Sequence, residues 1–492
     1  LGTAYTTNTS IIQSFDNLII LNYSGNHLSS TGGGLMVQSG QTSGSPSLWI
    51  IDSFGNWSAN TQIIAGGGLN VESGTTLSSG GTDLYSIFAT TSQSGGTSAS
   101  LWSASTGTNS IRANNGTANE AGGYTSLVAG QSNNAGGDYS SIIGGSNNIV
   151  SNSGTHALVV GGLSNKSNGS KSIIVGGREN TGSTYYSTVV GGIQNLSLGE
   201  KSFIGNGSSN KALHDYSTIL NGSDNIASGN RSFIANGSSN SATTQSSSVL
   251  GGSNNLASGQ VSIVNGGSYN IASGDYSNVG GYRNIASGNY SNVNGGGFNR
   301  ATNSYSSIAG GNNNQANGKY AFIGGGNLNT AQTNSSSILG GQSNITFGNN
   351  SSIIGGTQNI ASGSESSIVG GSKNLSSNVC TFIGGGYKNS ATTNYSTVVG
   401  GSKNLASGSN SFIGGGGNNI ASGSHSFIGG GGSDTYDILK NEASGLASSV
   451  ISGRRNLAGA DMTFVGGGYK NIISGKYSII VGGHNNTITG LR

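Results

Sequence analysis

Cysteine, proline, methionine and charge are all scarce in this chain, and each scarcity removes a way of building or using a fold. Among 492 residues there are one Cys, one Pro and two Met. Cys380 stands alone, so no intrachain disulfide can form. Charged residues make up 7%, against about 25% in ordinary globular chains. The 16 Asp and Glu are dispersed, which argues against the paired carboxylates of glycan cleavage. His27, His156, His214, His425 and His484 show no metal-ligand spacing. A scattered net charge of +3 forms no basic stripe for nucleic acid. No apolar run approaches the roughly 18 residues of a membrane-spanning helix, so no membrane insertion is expected. Leu1 stands first without a basic-plus-apolar leader, so the chain reads as processed or as a fragment.

What is abundant is Gly, at 91 residues, with Ile, Val, Leu, Phe and Tyr returning at fixed intervals among Ser and Asn. A flexible linker has no such phase; a stacked array does. The phrase Ser-x-(Ile/Val)-x-Gly recurs every 15 residues through Val159, Ile174, Val189, Ile204, Ile219, Ile234, Val249, Val264 and Val279. One 14-residue step leads to Val293, and the 15-residue spacing resumes through Ile308, Ile323, Ile338, Ile353, Ile368, Ile383, Val398, Ile413 and Ile428. Leu127 and Ile142 extend the series backward; Val450, Val465 and Ile480 extend it forward after a 22-residue step, giving 24 anchors. Alternation in Ser-x-Ile-x-Gly is the two-residue period of a strand, and Gly and Asn supply turns. Fifteen residues fit two short strands and two tight turns. The expected fold is all-β, a parallel β-solenoid of about 24 coils, each adding about 4.8 Å. Asn344, Asn359, Asn374, Asn389 and Asn404 recur in register and are expected to form a hydrogen-bonded ladder.

The residues flanking each anchor follow a rule. Where Phe precedes it, as at Phe203, Phe233, Phe322, Phe382 and Phe412, Gly or Ala follows. Where Ser or Thr precedes, Leu, Val or Ile follows, as at Leu220 and Leu250. Large and small thus exchange places between many neighbouring coils, as interdigitated packing requires. The anchors fill the coil interior, so the flanking residues need a second dry surface. A monomer would leave that stripe in water. Several chains, three being the economical number, are therefore expected to pack their stripes along a shared axis.

The phrase "ASGSNSFIGG" at residues 406–415 resembles the head repeat of trimeric autotransporter adhesins. That resemblance implies a left-handed parallel β-roll, with three rolls side by side. Earlier in the chain, "GGGLMVQSGQTSGSPSLWIIDSFGNWSA" at residues 32–59 resembles small β modules of bacteriophage and marine-virus tail fibres, with Trp49, Asp52 and Trp57 at the matching places. "SLWSASTGTNSIRANNGTANEAGGYTSLVAG" at residues 100–130 is similar to the joint that leads into repeat shafts in such fibres. The implied organisation is a small β module over residues 1–65, a connecting β segment over 66–120, and the array over 121–492 with an insertion near 433–442. The implied role is a non-catalytic fibre shaft that attaches a virus or phage particle to its host by multivalent contacts. Its partners would be copies of itself, other virion or fibre proteins, and a host-surface glycan or protein, all at an extracellular virion surface. A bacterial surface adhesin is the alternative. An ice-binding solenoid ranks lower, because Thr188, Thr218 and Thr397 make no regular row.

No cofactor is expected. Asp434, Tyr436 and Asp437 lie in the 22-residue interruption and are candidate receptor contacts, since protruding loops often carry specificity. Tyr186, Tyr216, Tyr276, Tyr290, Tyr305, Tyr395 and Tyr477 each precede the strand Ser, a row suited to stacking on sugars or to forming a structural rim. Neither the Gly runs at Gly414 and Gly429 nor the abundant Ser carries the accompanying residues of a phosphate loop or a catalytic triad.

Overall fold

A 15-residue coil leaves room for only two residues of strand on each side, and the chain uses that minimum. In a computed structural model, the Ile353 coil contributes Ser352–Ile353 to one sheet and Ile360–Ala361 to another. Each strand pairs in parallel with its equivalent one coil before and one coil after, Ser352 opposite Ser337 and Ser367. The structure describes side chains over residues 102–113, 118–433 and 439–490. It also describes backbone strands at Gly34–Val37, Ser47–Ile51, Trp57–Ala59, Ser78–Ser79 and Thr82–Asp83. Leu1–Ser86 and Ile87–Arg492 are separate compact units. In the first, Gly34–Val37, Ser47–Ile51 and Trp57–Ala59 form an antiparallel sheet that pairs Leu35 with Trp49 and Ile51 with Trp57. Asp52 lies outside the described residues.

The second unit is the solenoid, of about 25 turns, and no helix crosses it among the described residues. Its first sheet stacks the anchor strands from Leu127–Val128 to Ile479–Ile480. An antiparallel hairpin, Trp102–Ala104 with Ile111–Ala113, lies ahead of it and pairs in parallel with Leu127–Val128. The second sheet stacks the Asn-x-Ala strands from Glu120–Ala121 to Thr487–Ile488. A line of single-residue bridges, such as Gln342 to Thr357 to Ser372, ties the coils together between them.

Alternation along each strand turns one residue inward and the next outward. Val159, Ile174, Val189, Ile204, Ile219, Ile234, Val398, Ile413 and Ile428 are fully buried; the inward residue of the second sheet is Ala in most coils, with Ser167, Gly182 and Ser197 among the exceptions. One large and one small side chain fill most coils, so the core is a single layer; Ile142 with Val150 and Val465 with Ile473 are large on both sides. The backward extension of the repeat needs a correction. The buried residue of that coil is Val128, not Leu127, which is only half-buried. The coil from Val128 to Ile142 has 14 residues, so counting back by 15 overshoots by one.

Two non-glycine residues per coil adopt left-handed backbone, for example Gln358 at φ 57° and Glu365 at φ 57°. Such conformations cost about 1–2 kcal/mol each. They persist because they aim the N–H back at the preceding coil: Gln358 donates to the Gln342 carbonyl and Glu365 to that of Asn349, both at 2.8 Å. Strand N–H groups point the other way, as Ser352 does to the Ser366 carbonyl at 2.9 Å.

Candidate interaction surface

Three lines of side chains follow the solenoid, and each arises from fixed positions of the coil. The innermost is the asparagine line. The Asn359 Oδ1 accepts the backbone N–H of Asn374 at 3.0 Å. Its Nδ2 donates to the carbonyls of Gly355 in its own coil and Gly371 in the next, each at 3.0 Å. Asn344, Asn374, Asn389 and Asn404 are buried and repeat this arrangement. The line extends beyond those five, without a break across the 17-residue step to Asn165, the 14-residue step to Asn284 and the 22-residue step to Asn441. Only a short primary amide supplies an acceptor and two donors at this distance from the backbone. The asparagines are therefore structural, facing inward and unavailable to a ligand.

The second line is the outer face of the first sheet. Phe203, Phe233, Phe382 and Phe412 are half-buried; Leu220, Leu250 and Phe322 are exposed at 45%, 47% and 39%. The alternation of large and small has a local cause. The Phe412 ring covers Gly414 of its own coil, with Cε1 3.6 Å from where a Cβ would sit, and that Cβ would lie 2.4 Å from the Gly429 carbonyl oxygen. Phe412 and Phe427 stack at 5.3 Å with nearly parallel rings. The result is a near-continuous apolar row.

Sequence reasoning missed a third line. The x of Asn-x-Ala points outward from the second sheet, and Ile226, Leu256, Ile271, Ile285, Ile345, Ile360, Leu405 and Ile420 sit there half-buried. The signal was present in the repeat, where that position is Ile or Leu in many coils.

The tyrosines occupy the left-handed corner before the first sheet. Tyr276, Tyr290, Tyr305 and Tyr320 stack in succession at 4.9–5.0 Å, with interplanar angles of 2°, 2° and 17°. Their faces cover one another, leaving edges to solvent. Inner rings of this stack offer no free face to a sugar. Elsewhere along the corner, Lys171 lies over Tyr185 and Tyr186, and Lys201 over Tyr216. Each lysine donates to these hydroxyls, Lys171 to Tyr185 and Tyr186 and Lys201 to Tyr216, and the bonds raise both lysine pKa values.

Chemistry is sparse. Among the described residues no group of three or more His, Cys, Asp or Glu could hold a metal ion. The Cys380 thiol donates to the Glu365 carboxylate at 3.3 Å, which pushes its pKa up, away from a reactive thiolate. Asp461 pairs with Lys476 at 2.7 Å on the surface, and this contact holds its carboxyl below the usual range. Asp434, Tyr436 and Asp437 lie outside the described residues. No helix among the described residues is long and apolar enough to cross a membrane. Compared with known proteins, the chain matches no family model and no curated sequence.

Proposed function

We propose that this chain is a structural rod, the shaft of a fibre through which a virus or phage particle attaches to a host surface. In this reading three left-handed rolls lie side by side, extracellular and without catalytic activity. The observation that carries it is the outer face of the first sheet. Half-exposed Phe, Leu, Ile and Val succeed one another along the solenoid, with Leu339 at 52%, Ile354 at 49% and Val399 at 46% exposed. An extended exposed apolar row of this kind is rarely presented by a soluble monomer. Repetition supplies length, because each coil buries its core only against its neighbours. Dense backbone pairing in every coil supports slow unfolding and protease resistance. Host contacts would be individually weak and strengthened by copy number, with a surface glycan or protein as receptor.

The test is the native mass of the full chain by light scattering, with electron microscopy of the same sample. Slender particles containing three chains are expected. A single-chain species stable at micromolar concentration would overturn the reading.

A further inference from the structure

Charge is not spread evenly around the coil. At the corner that opens the second sheet, the residue before each ladder asparagine is Lys373, Lys388, Lys403, Asn418, Lys440, Arg455 and Lys470 in seven consecutive coils. Six of the seven are cations, in a chain with only 19 Lys and Arg. Earlier in the array the same corner has Arg283 as its one cation, and it carries the acids Glu179 and Asp224. The cations look scattered in the sequence because the repeat sets them 15 residues or more apart. Folding brings them into line, so the expected absence of a basic stripe is corrected here.

The backbone fixes the line. Lys373, Lys388, Lys403, Arg455 and Lys470 all adopt left-handed backbone, with φ of 53–59°. The Lys388 N–H donates to the Ser372 carbonyl at 2.9 Å and the Lys403 N–H to that of Tyr387 at 2.7 Å, each reaching the coil before. After the 22-residue step the same contact resumes, from Arg455 to Leu439 at 3.3 Å. Lys373, Lys388, Lys403 and Lys470 are exposed; Lys440 and Arg455 are half-buried. Lys440, Arg455 and Lys470 line a shallow cavity of about 190 Å³, with Leu457 and Ile472 as its apolar wall. Glu442, 3.3 Å from Lys440, is the one acid there. Glu365 and Asp461 sit at the other corner, where they engage Cys380 and Lys476. A hydrogen bond from Lys388 holds the Tyr387 hydroxyl below its usual range, and the charges of Lys373 and Lys403 act on it from the coils on either side.

Like charges held one coil apart, about 4.8 Å, repel one another unless an anion lies along them. We infer that this ridge binds a linear acidic polysaccharide laid parallel to the solenoid axis. A pyranose ring spans nearly the length of one coil, so successive carboxylate or sulfate groups meet successive cations. Leu457 and Ile472 give one sugar face an apolar wall. Duplex DNA fits less well, since it carries a charge every ~1.7 Å of axis, about three times the density of one line of cations. Single-stranded nucleic acid needs free aromatic faces. Here Lys388 lies over Tyr387, while Arg455 and His484 lie against Tyr469 from the coils before and after. The inference rests on the attachment reading for its setting and names the receptor class, but the ridge itself belongs to a single chain.

The test is binding of the full-length protein to immobilised alginate, a polyuronate, and heparin, a sulfated glycan. Neutral dextran, a duplex and a single-stranded oligonucleotide are run beside them. Two ridge variants, Lys373→Gln/Lys388→Gln/Lys403→Gln and Arg455→Gln/Lys470→Gln, are compared with Lys171→Gln/Lys201→Gln/Arg231→Gln, which removes three charges from the tyrosine corner. Circular dichroism checks that each variant keeps the fold. The wild type is expected to bind at least one acidic glycan, the tighter one naming the acid, with affinity falling as salt rises. Each ridge variant should bind about tenfold more weakly, and the control within about threefold of wild type. Failure to bind either acidic glycan, equal binding of dextran, or an equal loss in the control would overturn the ridge. Tighter binding of either oligonucleotide would overturn the polysaccharide in favour of nucleic acid. Particle mass is a separate readout. A three-chain rod that ignores both acidic glycans loses this inference and keeps the rod, whereas a single chain that binds them keeps the ridge and loses the multi-chain rod.

Discussion

Replacing Asn359 with Ala removes one side chain and unsettles three backbone groups. The Asn374 N–H loses its acceptor, and no other partner lies within reach. Leaving that buried donor unpaired costs about 1–3 kcal/mol. Two further bonds, to the Gly355 and Gly371 carbonyls, contribute about 1 kcal/mol each. Gly371 keeps its bond from the Thr357 N–H at 2.9 Å, so it is not orphaned. The sum is about 3–5 kcal/mol. In a solenoid this penalty stays near its origin, since each coil contacts only its neighbours. The assay is native-state hydrogen exchange, which reads local opening. Amides of the Ile353 and Ile368 coils should exchange about 10²- to several-10³-fold faster, at about 1.4 kcal/mol per factor of ten. Amides near Val189 should be unaffected. Asn359→Asp provides a sign test. The introduced carboxylate would face the same two carbonyls, which raises its folded pKa above the ordinary value of about 3.9. The folded state then holds the proton more tightly. The variant should be most stable below about pH 4, lose stability as pH rises towards the raised value, and level off above it. Exchange at Asn374 within about threefold of wild type in both variants would refute the structural role of the ladder.

Three further predictions separate local from inter-coil causes. Gly356→Ala should cost about 2–4 kcal/mol, because φ is +91° and a Cβ would lie 2.1 Å from the Gly371 oxygen. Gly355→Ala meets nothing within 4 Å and should fall within about 0.5 kcal/mol of wild type by calorimetry. Val261 holds a β-branched side chain at φ 56°, so Val261→Asn should stabilise by about 1 kcal/mol, read as a higher denaturant midpoint. Alkylation of Cys380 at pH 8 should be slower than for a free thiol, because the hydrogen bond to Glu365 raises its pKa. Glu365→Gln should speed the reaction and lower its pH midpoint; an unchanged rate would remove the carboxylate from the explanation.

The period of the coil and its inward Ile and Val could be read directly, because strand alternation is a local property that every repeat restates. The asparagine register was legible for the same reason. Other features depend on the next coil and could not be read one repeat at a time. Ala406 and Ala421 look like turn consensus in "NLASG" and "NIASG", yet they are the small half of the core facing Ile413 and Ile428. The first Gly of each Gly-Gly pair looks as necessary as the second, but Asn206, Asn221 and Asn236 fill that place in three coils. Tyr186, Lys201 and Val261 carry no signal for left-handed backbone; a carbonyl one coil earlier imposes it. The outward rows were half legible. The Phe and Leu flanks could be read, while the Ile and Leu of the second sheet hid beside the more regular Asn and Ala.

The asparagine ladder runs from Asn419 to Asn441 at 3.1 Å although 22 residues separate them. The seven residues in excess of the repeat therefore do not interrupt the spine. Decoration and scaffold are decoupled at that corner, between Gly432 and Asn441. A peptide epitope or a small domain spliced there would ride at a fixed distance along the spine, and spine length could be changed in whole coils without redesigning the graft.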